Sequence, residues 1–117
     1  MTVRRLKTYT GAQGYVYQYY FVGKRPALAG VASTEFIFDV TADRKTTFAV
    51  SVFLPDKIVA GWAAEHGRHL TDAEQYAAVK MRLFQGFDEI EKMMEQGRKL
   101  DLDAGGLESF LTALGVG

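Results

Sequence analysis

The chain contains no cysteine, no asparagine, two prolines and no excess charge, since 14 Lys and Arg balance 14 Asp and Glu. Without cysteine there are no disulfides, thiolate nucleophiles or thiolate metal sites, which favours a reducing compartment and a cytoplasmic location. Without asparagine there is no N-glycosylation acceptor. Zero net charge removes any global pull toward nucleic acid, membrane or acidic substrate, so a charged partner must be met by a local patch. Apolar runs such as Ile37-Phe38 and Val52-Phe53-Leu54 fall far short of the ~20 residues that span a bilayer. The opening residues carry Arg4, Arg5 and Lys7 with no apolar stretch behind them, so no export signal is expected.

What is present suits one folded domain. With 117 residues, 48% of them hydrophobic, the chain can bury a core of its own. Residues 1–54 read as a β meander and 55–117 as a helical layer. The predicted class is therefore α+β, an antiparallel sheet of three to four strands packed on one face by two to three C-terminal helices.

The strand signals differ in kind. Tyr15 to Val22 is dense in aromatic and β-branched residues and is closed by Gly23, with a partner strand expected over Thr2 to Tyr9. Glu35 to Leu54 is a hairpin by alternation: Phe36, Phe38 and Val40 share one face, as do Phe48, Val50, Val52 and Leu54. Placing both sets on the core side requires Phe38 opposite Val50 and Val40 opposite Phe48, with an odd-numbered loop around Asp43-Arg44-Lys45. Between the two strand regions, Gly23 to Gly30 reads as a long mobile flap.

After Pro55 the period changes to helical. Ile58, Val59, Trp62, Ala63 and His66 mark a short helix stopped by Gly67. Thr71 and Glu74 form a capping box that opens a second helix, whose stripe of Tyr76, Val79, Leu83, Phe87, Ile90 and Met94 runs toward a stop at Gly97. Asp103 caps a terminal helix with Leu107, Phe110, Leu111 and Leu114 on one face. A helix from Thr71 to Gln96 would be about 39 Å long, against strands of about 30 Å and a four-strand width of about 19 Å, so it should overhang the sheet. The surplus stripe calls for a fold-back, a break at Gly86, or cover from a second copy.

Three function classes follow. The first is an interaction module, homodimeric, whose partner or ligand meets an aromatic sheet face at Tyr15, Tyr17, Tyr19 and Phe21, flanked by Lys24 and Arg25. The second is a single-stranded nucleic-acid binder, because residues 1–25 hold Arg4, Arg5, Lys7, Lys24 and Arg25 with no acid, and stacked rings with cations suit single strands. The third is a small metal-assisted enzyme at Glu65, His66, His69 and Asp72. In that segment Gly67 interrupts the helix between the two histidines, so an ordinary helix end, with no metal or cofactor, is the expected state. No serine among Ser33, Ser51 and Ser109 sits in a Gly-x-Ser-x-Gly setting, and no catalytic residue is assigned.

Overall fold

The computed structural model describes residues 6–117; Arg4, Arg5 and the beginning of the first expected strand lie outside the described residues. The elements run β1 (Lys7–Thr10), β2 (Val16–Pro26), β3 (Ser33–Thr41), β4 (Phe48–Pro55), α1 (Asp56–His66), α2 (Asp72–Glu89), α3 (Met93–Gln96), β5 (Lys99–Asp101) and α4 (Ala104–Ala113). The sheet order is β1-β2-β3-β4-β5. Its first four strands are an antiparallel meander, and β5 joins β4 in parallel.

The α+β class holds, with a fifth strand and a fourth helix beyond the expected number. The central hairpin has the register that alternation demands: Phe38 faces Val50 and Val40 faces Phe48. Asp43 organises the turn, its Oδ1 accepting the backbone N–H groups of Lys45 and Thr46 at 2.8 Å. Those bonds, together with the Thr41 hydroxyl, hold its carboxyl below the ordinary value.

Helix boundaries follow local chemistry except in one place. Pro55 precedes α1, and Gly67 ends it in the left-handed region (φ 70°), its N–H donating to the Ala63 carbonyl. The Thr71–Glu74 capping box is formed in both directions. The expected helix to Gln96 is not: α2 stops at Glu89, and the chain turns through Ile90 into the one-turn α3 and then β5. The reason is packing. Once the chain has turned, Met93 and Leu100 are both buried, whereas a continuous helix would carry its stripe past the sheet. Gly86 contributes without breaking the helix, because a Cβ there would stand 2.9 Å from Leu100 Cδ1. Fold-back of the chain thus replaces the overhang, with Val79, Leu83 and Phe87 of the stripe buried and Met94 at its end left 48% exposed.

Core residues come from one sheet face and from the helices: Tyr17, Tyr19, Phe36, Phe38, Val50 and Val52 meet Trp62, Val79, Leu83, Phe87, Leu107 and Leu111. A bulge in β2 divides its length, since Phe21 pairs with Phe38 but Gly23 already pairs with Ile37. One extra residue reverses the alternation. Before the bulge odd positions face the core; after it Lys24 lies opposite Phe36 and Arg25 opposite Glu35. The segment expected to be a flap from Gly23 is thus strand as far as Pro26, which leaves 27–32 as the connection.

Candidate functional site

The aromatic strand is where the structure departs most from the expected binding face. Tyr17 and Tyr19 are 2% and 3% exposed and belong to the core. Tyr17 stacks on Phe87 at 4.3 Å, and Tyr19 meets Phe84 edge-on at 5.6 Å. Burial raises the pKa of both phenols. Only the two ends of the row reach solvent, Tyr15 at 45% and Phe21 at 38%. The physical cause is that α2 presents Tyr76, Phe84 and Phe87 to this face, so aromatic residues on two elements satisfy one another.

The cations are dispersed too. Lys24 pairs with Asp72 at 3.5 Å, and Arg25 donates through Nε to Glu35 at 2.9 Å. Lys7 lies beside Lys80, whose pKa is lowered first by burial and then by that neighbouring charge. The structure therefore does not gather Tyr15, Tyr17, Tyr19, Phe21, Lys24 and Arg25 into one exposed surface. Tyr15 lies instead in a cavity of about 440 Å³ at the opposite end of the sheet face from Lys24, with Phe48, Met94, Glu91 and Glu95 also in its lining. Phe21 and Lys24 share a separate cavity of about 340 Å³ with Tyr76 and Asp72.

Among the described residues, the face of the sheet without helical cover is the other one. Alternation places Val16, Gln18 and Tyr20 of β2, Glu35, Ile37 and Asp39 of β3, and Ala49, Ser51 and Phe53 of β4 on the side away from the core residues. None of them belongs to the helix-covered core cluster. Val16 is exposed, Ile37 and Phe53 are half-buried, and Val22 at the bulge is 51% exposed. The polar groups among them are organised. Tyr20 donates to Asp39 at 2.5 Å, and the Glu35 carboxylate, itself buried, accepts from Ser51 Oγ at 2.6 Å and from Arg25. Those two hydrogen bonds, Ser51 first, hold the Glu35 pKa below its ordinary value although burial opposes them. Alternation marks this face in the sequence, but the denser aromatic signal of β2 lies on its reverse side.

The histidine segment is also rearranged. Glu65 and His66 meet Glu108 of α4, with His66 Nε2 3.1 Å from Glu108 Oε2. His69 and Asp72, expected in the same cluster, are not in it; Asp72 faces Lys24. The Gly67 turn sends the chain away after His66, and Glu108 comes from a helix 42 residues later, which spacing along the chain could not indicate.

Among the described residues no helix is long and apolar enough to cross a membrane. No family model, curated protein or solved structure matches the chain.

Proposed function

We propose that the chain is an interaction module that self-associates, with the bare sheet face as its surface in place of the aromatic row. The observation that carries this reading is a sheet that, among the described residues, is covered by helices on one side, while its other side presents Val16, Tyr20, Ile37 and Phe53. Apolar surface grouped in this way marks an interface more often than scattered single residues do. A second copy is the favoured occupant because the face is of mixed sign: Arg25 and Lys99 stand among Glu35, Asp39 and Asp101. Such a surface can oppose its own two-fold image without net repulsion, whereas nucleic acid would require an excess of cations.

The size is modest. Strands of eight residues, as in β4, across five strands present on the order of 500 Å² per copy, or roughly 1,000 Å² buried in a pair, at the low end of specific interfaces. The dimer is therefore expected to dissociate on dilution. Sedimentation equilibrium over a wide concentration range tests this, alongside Ile37→Lys and Val22→Lys checked for folding by circular dichroism. Wild type should shift from dimer to monomer on dilution, and both variants should stay monomeric. A 13.0 kDa species at every concentration, or a dimer indifferent to both substitutions, would defeat the proposal.

A further inference from the structure

We infer that Glu65, His66 and Glu108 form a site for a late first-row divalent cation, of the zinc, nickel or copper class, that ties α1 to α4. One ligand atom from each lies within 4.8 Å of the other two. With metal–ligand bonds of about 2.0–2.2 Å, neighbours around a tetrahedral ion stand about 3.3 Å apart. The His66 Nε2 and Glu108 Oε2 separation of 3.1 Å is already close to that, so the pair could accept an ion with little movement. Glu65 is adjacent in sequence and exposed, so its long side chain can close the third position, leaving the fourth to water.

The surroundings favour a cation held by nitrogen and oxygen. Glu65 and His66 end an 11-residue helix, where the unpaired carbonyls carry partial negative charge. Arg68, whose guanidinium lies over the Trp62 ring at 5.1 Å, is committed to Glu74 through two hydrogen bonds of 2.8 and 2.9 Å. The imidazole stacks on Trp62 with ring centroids 4.1 Å apart, which fixes its plane before any ion arrives. One imidazole with two carboxylates selects zinc, nickel or copper over calcium and magnesium, which prefer oxygen alone.

Trp62 is the single tryptophan of the chain and therefore reports on this one place. The test is a titration of untagged protein with Cu²⁺ and with Zn²⁺, using Mg²⁺ as control, read by tryptophan fluorescence and by thermal melting. Copper should quench Trp62 along a saturable one-to-one curve, and zinc should raise the melting temperature. His66→Ala should abolish both effects. Glu108→Gln keeps the stacked imidazole and should weaken binding by at least about tenfold, since even an outer partner of a ligand is worth that much. His69→Ala, outside the cluster, should leave both titrations unchanged. Absence of saturation with wild type, or curves that survive His66→Ala and Glu108→Gln, would overturn the assignment.

Discussion

Replacing Gly11 by alanine tests how the β1–β2 turn is seated on α2. A Cβ at Gly11 would stand 2.7 Å from the Phe87 carbonyl oxygen and 3.3 Å from its carbon, both backbone atoms of the last turn of α2. The turn cannot simply lift away. The Ala12 N–H and the Tyr9 hydroxyl both donate to Asp88 at 2.9 Å, and Gly11 N–H donates to Tyr15. Backbone that must shift against such ties costs about 2 kcal/mol, the middle of the range for overpacking. Gly61 is the matched control. It lies exposed within α1 with nothing within 4 Å of an added Cβ, so Gly61→Ala should stabilise by up to about 1 kcal/mol through helix propensity. The same chemical change should therefore act with opposite sign at two sites, a separation of about 3 kcal/mol. Urea unfolding of wild type and both variants measures it, provided the slopes agree. A Gly11→Ala protein as stable as wild type would refute the close approach of turn and helix.

Tyr17→Ala should destabilise by about 3 kcal/mol as a buried aromatic truncation, whereas Tyr15→Ala, at the open end of the same row, should change stability by less than about 0.5 kcal/mol; a loss at Tyr17 no larger than at Tyr15 would mean that Tyr17 is not buried beneath α2. Leu100→Ala should cost about 3 kcal/mol, and the Leu102 amide, which donates to the Phe53 carbonyl at 3.0 Å, should resist hydrogen exchange; rapid exchange there would remove β5. The Glu74 carboxyl, held down to about 2 by Arg68 first and by the Thr71 N–H next, gives a pH test. Its folded pKa lies below the ordinary 4.5, so its contribution is complete above that value and is lost as pH falls from there toward about 2. Glu74→Gln should flatten that part of the acid limb in chemical denaturation, and an unchanged slope would show that the Arg68 pairing does not contribute.

Much of the architecture was legible because its signals are local. The hairpin register agrees with alternation, since pairing even positions of β3 with even positions of β4 sets Phe36, Phe38 and Val40 on one side with Phe48, Val50, Val52 and Leu54, and a slip of one residue would separate them. The Thr71–Glu74 cap and the Gly67 stop are read from neighbouring residues and recur in the structure. The end of α2 was not legible. Its apolar stripe continues in sequence, and nothing within it announces that Met93 and Leu100 bury more surface after a turn than along a straight helix. β5 carries no local signal for a related reason, since three residues beside an existing sheet edge need little strand propensity of their own.

From the amino-acid order alone came the class, the central register, the starts of α1, α2 and α4 and the absence of any cysteine chemistry, all of which depend on period, capping and composition. Tertiary structure alone decided which side of β2 is buried. Both sides of that strand carry tyrosine, so the choice fell to Phe84 and Phe87 on a helix more than 60 residues away. It also decided that Val22 is an extra residue in the ladder, which turns Arg25 toward Glu35, and that Glu108 rather than His69 joins His66. Side chains distant along the chain become neighbours only when layers pack, and that is where the bare face and the histidine cluster arise.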